Sequence, residues 1–445
     1  MRVAKALRIQ PGQVVAFVGA GGKSSAIAKL AHELLEEMPV VITTTTKLAA
    51  GQVSLARTHL VATSSGQLEQ LPNLLQSNRF ILITQGQDPT EPKLLGIEED
   101  LLEEVRQRTQ EAGAVLLVEA DGARGLSLKA PAPHEPVIPS SADLVVLTAG
   151  LDILGSPLDE AHVHRPDRVA ALLGLQAGAL IDAGHVAAVL TSENGGLCRV
   201  PAGAEVRVLL NKAETSERMA GGRLVAERVL ASPRIRAVLL GAVASEDPVR
   251  QALGRVAGVV LAAGGSERLG RMKQLVEWRG KALVQHAIQA AIEGGLSPVV
   301  VVIGAEAEAV RQAIAAEAVS VVENHAWREG QSGSVIAGLA AVELQAEAVM
   351  FLLSDVPFVD GELVRALVAE HRCTLAPIIA PSVEGQRATP VLFDRVAFHE
   401  LHHLKGDQGG RALFDRFPSR SVPWQADILF DIDTPEDLNE LEQRA

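Results

Sequence analysis

Short, mostly apolar runs rich in Val, Leu and Ile recur along the first half of this chain, at residues 14–18, 40–44, 80–84, 115–118, 144–147, 186–190 and 206–210. Each reads as a short strand buried on both faces. After the first run, Ile27, Leu30, Ala31, Leu34 and Leu35 fall at helical spacing. A second alternation starts afresh at residues 256–261. There Leu283, Val284, Ala287, Ile288, Ala291 and Ile292 keep helical spacing and stop at Gly294 and Gly295. Residues 298–303 extend again, 306–316 are helical, and 319–322 and 349–353 are further strands. Strand–helix–strand order predicts the α/β class with mostly parallel sheets. The polar stretch from Ala242 to Gly254, holding Ser245, Glu246, Asp247 and Pro248, separates the two patterns. It places a domain junction near residue 250, giving domains 1–250 and 251–445.

Each half opens with a strand that empties into a glycine-rich loop. In the second half the loop is Ala262, Ala263, Gly264, Gly265 and Ser266, followed by Arg268 and Lys273. Glycines let backbone N–H groups approach a phosphate, and the two cations neutralise it. An ordinary strand-to-helix turn reads the same locally, but partners follow downstream. The strand 349–353 ends at Asp355, a carboxylate where open α/β sheets bind their ligands. Residues 324–334 offer glycines and hydroxyls, among them Ser334, for a base and ribose, and a second acidic cluster carries Asp431 and Asp433. Two separated Asp residues facing a triphosphate meet the demand of Mg²⁺ for hard oxygen ligands shared with phosphate and water.

In the first half, Gly19, Gly21, Gly22, Lys23 and Ser24 lie between a strand and a helix. This reads as a P-loop, with amides and Lys23 cradling phosphates and the Ser24 hydroxyl reaching Mg²⁺. Phe17 stands where the Walker A pattern needs its first Gly, so the loop fits instead the shorter G-x-x-G-K-[ST] form of Mur-ligase-type ATPases. Run 114–118 ends in Glu119 and Asp121, as a Walker B strand does. Residues 43–47 add threonines and Lys47, although a β-branched strand end accounts for the threonines equally. Residues 211–214 differ from the guanine-reading N-K-x-D by Glu214, which leaves ATP and GTP equally open.

Composition narrows the classes. The net charge of −13, the absence of Tyr and 3% aromatics argue against a nucleic-acid partner. Cys198 and Cys373 are isolated, so neither a disulfide framework nor a zinc ribbon is indicated. Residues 1–13 contain no signal-peptide core and no apolar run spans a bilayer, so a cytoplasmic location without membrane contact is expected. His399, Glu400 and His403 match H-E-x-x-H formally. Glycines follow within two turns and no third ligand is evident, so a zinc peptidase is set aside. His134, Glu135, His162, His164 and Arg165 are read as loop residues rather than metal or anion ligands.

Taken jointly, AAGGSERLGRMKQL, NHAWREGQSGSVIAGL, LLSDVPF, GDQGGR and DIDTPEDL resemble the molybdenum cofactor cytidylyltransferase (MocA-like) family of nucleotidyltransferases, over about residue 256 onward. The resemblance implies a Rossmann-like three-layer fold and transfer of CMP from CTP to the terminal phosphate of a molybdopterin-type cofactor. It implies Arg268 and Lys273 on the triphosphate, and Mg²⁺ on Asp355 and Asp433 with Asp431 as a third carboxylate. No protein nucleophile is needed, because the attacking oxygen belongs to the acceptor's phosphate. Ala263 stands where related guanylyltransferases carry Gly, which is compatible with a pyrimidine. Residues 387–390 read Arg-Ala-Thr-Pro where the family commonly shows Arg-Gly-His-Pro, a departure that bears on the acceptor pocket.

In the first half, GAGGKS, ITTTTKL, VEADGARGLSLKAPAPHEPVIP, HVHRPDRV and LNKAE resemble the YqeC-type accessory family of selenium-dependent molybdenum hydroxylases, over roughly residues 10–245. That resemblance implies a role in maturing a selenium-containing molybdenum cofactor, with a molybdenum hydroxylase apoenzyme as partner, for a second Rossmann-like domain whose P-loop reading supplies the ATP or GTP site. Both halves thus point to one cofactor pathway. Two rivals stay open: nucleotidyl transfer to another phosphorylated acceptor, such as a sugar or alditol phosphate, and a non-catalytic cofactor carrier or insertion chaperone.

Overall fold

Residues Val14–Gly19 form the central strand, β1, of a nine-stranded sheet. With β2 (Val40–Thr44), β3 (Thr58–Val61), β4 (Phe80–Thr84), β5 (Val115–Glu119), β6 (Leu144–Gly150), β7 (Glu205–Asn211), β8 (Ala237–Gly241) and β9 (Val249–Gly254), the order is β9-β8-β7-β6-β1-β5-β2-β4-β3. All pairs from β8 to β3 are parallel. Val14, Ala16 and Val18 enter the core on one face of β1, Val15 and Phe17 on the other. This two-sided burial explains why the strand reads as a continuous apolar run. Helix α1 (Lys23–Leu34) covers the Phe17 face, while α2 (Glu99–Glu111) and α4 (Ser216–Leu230) cover the opposite one. The computed structural model describes residues 1–266 and 269–444, apart from the side chains of Ser54 and Leu55.

One expected strand is corrected. Residues 186–190 lie in a helix, α3 (Ala183–Thr191), whose N-cap Asp182 accepts a hydrogen bond from the His185 amide at 2.8 Å. A five-residue apolar run has no period that separates strand from buried helix; the cap residue was the available signal. The stretch 242–254 is also not a plain connector. It contains β9, with Val249, Ala252 and Leu253 buried, and the compact units are Met1–Leu253 and Gly254–Ala445.

The second unit begins with β10 (Val256–Ala262), followed by β11 (Val299–Ile303), β12 (Ser320–Glu323), β13 (Ala348–Leu353), β14 (Ile378–Val383), β15 (Gln386–Arg387), β16 (Val391–Asp394) and β17 (Ser419–Pro423). The sheet order is β12-β11-β10-β13-β16-β14-β15, and β17 pairs with β14. Strands β10 to β13 are mutually parallel, whereas β16 runs antiparallel to both β13 and β14. Helices α5 (Leu283–Glu293) and α7 (Gly361–Thr374) pack on one face and α6 (Gln331–Val342) on the other, which makes three layers. From β10 the chain steps outward to β11 and β12, then returns to β13 on the other side of β10. This reversal opens a crevice at the carboxyl ends of β10 and β13, the place where α/β sheets receive ligands. Among the described residues, no helix is long and apolar enough to cross a membrane.

Candidate active site of the second unit and the loop of the first

At the end of β10 the chain continues through Ala263, Gly264, Gly265 and Ser266 into the crevice. The loop is braced by Gln274, a buried side chain whose amide donates to the carbonyls of Gly264 (2.7 Å) and Ala262 (3.2 Å). Ser266 Oγ accepts from the Lys273 amide at 3.0 Å, so the hydroxyl closes the loop on itself. Beyond it the Lys273 ammonium donates to Asp355 Oδ2 and, at 3.2 Å, to Asp433 Oδ1. Asp355 sits two residues past β13. Its carbonyl accepts from the Ile432 amide at 3.1 Å, which fixes the acidic tail against it. Asp433 is oriented in turn by Asp437, which accepts from the amides of Asp433 and Thr434 in the cap of α8 (Pro435–Gln443).

The electrostatics follow from this crowding. Burial pulls the Lys273 ammonium down, but the charge of Asp355 and the bonds to both carboxylates more than offset it and hold the amine above the ordinary lysine range. Asp431 is pushed up, first by burial and then by Asp433 and Asp355. Asp431 does not join the other two in a three-carboxylate cluster, and none is found among the described residues. Asp355 and Asp433 converge on Lys273, and Asp431 lines the same cavity beside them. Asp355 lines the cleft, and its Oδ1 is buried without a hydrogen-bond partner, a hard oxygen not taken up by the protein. With Asp433 it fits a divalent cation shared with a triphosphate.

Two lobes meet at this junction. The smaller, about 540 Å³, is lined by Ala263, Gly264, Gly265, Trp327, Arg328 and Ser334. Trp327 lies against Gly265, where a Cβ would come within 2.9 Å of the ring. Ser334 is buried and accepts from Asn324 Nδ2 at 3.0 Å. The larger lobe, about 900 Å³, has an apolar floor of Val335, Phe351, Val391 and Phe393, with Thr389, Gln408 and Arg411 among its polar lining. Lys273, Asp355, Gly264 and Gln331 line both. Arg268 lies outside the described residues. Sequence reasoning missed Gln274, although the MKQL segment contained it, because a buried amide bracing a loop has no spacing signature. His399 and His403 lie at a helix of only four residues, Phe398–Leu401, where His403 Nδ1 shares a hydrogen bond with the His399 carbonyl.

The glycine loop of the first unit is built differently. Gly21 has φ +87° and a Cβ there would lie 2.1 Å from the Gly150 amide nitrogen, so only Gly fits. The amides of Gly19, Ala20 and Gly21 donate to Asp121 Oδ2 (3.1 Å), the Thr148 carbonyl (2.9 Å) and the Leu126 carbonyl (2.8 Å). Lys23, 4% exposed, donates to the Gly19 carbonyl at 2.6 Å and lies 3.0 Å from Asp121 Oδ1. Ser24 Oγ donates to Glu119 Oε2 at 2.9 Å, and burial raises the Glu119 carboxyl against the pull of Lys23 and Ser24. The expected residues do gather at one place, where the amides of Gly19, Ala20 and Gly21 and the Lys23 ammonium are bonded to protein acceptors.

Asp121 also pairs with Lys129 at 2.7 Å, and Lys129 with Glu135 at 3.1 Å. Arg165 grips Glu135 through two bonds of 2.7 and 2.9 Å. Burial pushes Glu135 up, but the bonds and charges of Arg165 and Lys129 prevail and bring it down to about 2. Because the folded value lies below the unfolded value, near 4.3, this contribution to stability is complete above that pH and disappears as pH falls toward about 2. Thermal unfolding of the full chain between pH 5 and pH 2.5 should show a steep loss that Glu135→Gln flattens.

A crevice at a strand-order reversal, a glycine loop, and a lysine between two carboxylates define the second unit as a nucleotidyltransferase. A family model agrees with that class. The family model described as YqeC protein matches residues 15–167, and the one described as MobA-like NTP transferase domain matches residues 258–422. The nicotine blue oxidoreductase of Paenarthrobacter nicotinovorans is 34% identical over 200 residues, which are 42% of this chain and 94% of that protein. YqeC of Escherichia coli (strain K12) is 30% identical over 206 residues, 46% of this chain and 77% of the relative. The crystal structure of Rv0371c from Mycobacterium tuberculosis H37Rv matches 42% of this chain and 98% of its own at 30% identity, with a TM-score of 0.39. The chain belongs to the YqeC family in its first part and to the MobA-like NTP transferase family in its second.

Proposed function

We propose that the second unit transfers CMP from CTP to the terminal phosphate of a molybdopterin-type cofactor, and that the first unit binds ATP or GTP in the maturation of a molybdenum hydroxylase. The observation that carries the first half is the junction of two lobes at Lys273 and Asp355, beneath the Gly264–Ser266 loop. The smaller lobe holds a nucleoside between Trp327 and Ser334, and the triphosphate lies at Lys273. The acceptor enters through the larger lobe. An oxygen of its phosphate forms a bond to the α-phosphorus of CTP, the bond from that phosphorus to the α,β-bridging oxygen breaks, and pyrophosphate leaves with the electron pair. The acceptor phosphate is already ionised, so the residues position and neutralise rather than abstract a proton. Asp355 and Asp433 would hold Mg²⁺, which when bound supplies neutralisation of the triphosphate.

Ala263, whose carbonyl accepts from the Ala305 amide at 3.0 Å, narrows the smaller lobe beside Gly264 and supports a pyrimidine. The name of the Paenarthrobacter relative supports a rival reading, an oxidoreductase on the same fold. Pyrophosphate release separates the two. Purified protein supplied with molybdopterin and each of CTP, GTP and ATP should release pyrophosphate with CTP by at least tenfold over the others; release with GTP alone would reverse the base assignment.

A further inference from the structure

The junction of the two lobes is rich in carboxylates: Asp355, Asp407, Asp431 and Asp433 line the larger lobe, against two described cations, Lys273 and Arg411. Lys273 is taken up by Asp355 and Asp433. Arg411 is exposed, and among the described residues its guanidinium makes no ion pair or hydrogen bond. It lines only the larger lobe, whereas Lys273 lines both. An anionic acceptor has to approach a triphosphate through this acidic surrounding, and like charges repel. A fixed cation on the acceptor's side is needed.

The backbone supplies that cation on a rigid mount. Residues Gly410–Leu413 form a single 3-10 turn, and Leu413 is buried beneath it. Gly410 lies so close to Phe393 that a Cβ would sit 2.5 Å from the ring, and Gly409 is equally close to Gln331 Oε1. Both Phe393 and Gln331 line the larger lobe, so the turn is seated on the lobe's wall and presents Arg411 at its rim. We propose that Arg411 is the residue that binds the acceptor's phosphate, through the paired N–H groups that suit a phosphate oxygen pair. This rests on the nucleotidyl-transfer reading, and it divides the anions between the cations: the triphosphate goes to Lys273 and the acceptor phosphate to Arg411.

The test is calorimetric titration of the full chain with purified molybdopterin in the presence of a non-reactive CTP analogue, for wild type, Arg411→Ala and Arg411→Lys. Loss of a charge-assisted bond to phosphate should weaken acceptor binding by about tenfold or more in Arg411→Ala and partly in Arg411→Lys, while affinity for the CTP analogue changes less than about twofold. Retained CTP affinity also shows that the variant folds. Unchanged acceptor affinity overturns the proposal, as does a parallel loss of CTP affinity, which would put Arg411 on the triphosphate. Wild type that does not bind the acceptor overturns it too. If wild type binds the acceptor and Arg411→Ala does not, yet no pyrophosphate appears with CTP, the transfer reading fails while the anion site stands.

Discussion

Asp355→Ala is expected to lower pyrophosphate release by on the order of 10²- to 10³-fold while leaving the fold intact. Its carboxylate performs two tasks at the junction: Oδ2 takes the Lys273 ammonium, and Oδ1 offers a buried oxygen not taken up by the protein. Removing it frees Lys273 to collapse onto Asp433 and takes away a hard oxygen ligand for a cation. The backbone contact that seats the acidic tail runs through the Asp355 carbonyl, which alanine keeps. Circular dichroism and the unfolding midpoint should therefore match wild type. Activity retained within a few-fold would move the cation site away from β13.

The second large effect concerns stability in the first unit. Asp121→Ala should destabilise that unit by about 3–5 kcal/mol, because it breaks a buried ion pair by removing one partner. Asp121 contacts two ammonium groups, Lys23 at 3.0 Å and Lys129 at 2.7 Å, whose side chains are 4% and 2% exposed. Lys129 keeps Glu135, but Lys23 is left with the Gly19 carbonyl. For a unit of this size the loss corresponds to a melting shift of roughly 10 °C, read as an earlier first transition in calorimetry. Pyrophosphate release by the second unit should persist below that transition. An unchanged melting profile would mean that Lys23 and Lys129 find other partners at no cost. Lys23→Ala is likewise expected to cost stability as well as nucleotide binding, because the lysine is part of the packed structure.

Much of this architecture was legible because the parallel strands are buried on both faces. Runs such as 14–18 and 299–303 leave few alternatives once their flanking loops carry glycine. The same property misled at 186–190, where a buried helix presents an identical apolar run and only Asp182 marked its start. At the candidate site, Asp355 was singled out as a carboxylate at a strand end, Lys273 as a cation after a glycine loop and Asp433 as part of an acidic cluster, and the structure brings the three side chains together. Gln274 and Arg411 lay inside quoted motifs but were given no role, because the placement of each depends on loop packing. Gln274 matters only where the chain folds back under Ala262 and Gly264, and Arg411 only because Gly409 and Gly410 press against Gln331 and Phe393. Nor does the motif Gly19–Ser24 reveal that Asp121, Leu126 and Thr148 supply the acceptors for three of its amides. That arrangement is set by tertiary contacts more than 100 residues apart in sequence.

The most direct test of the central claim is transfer of label from CTP radiolabelled at the α-phosphate. Incubated with Mg²⁺ and purified molybdopterin, the full chain should move the α-³²P into a new acceptor-linked product in step with pyrophosphate release. Asp355→Ala should do so at least about a hundredfold more slowly. Label that stays in CTP or appears only in free CMP, with molybdopterin present and demonstrably bound, would contradict the account and leave a cofactor carrier as the better description.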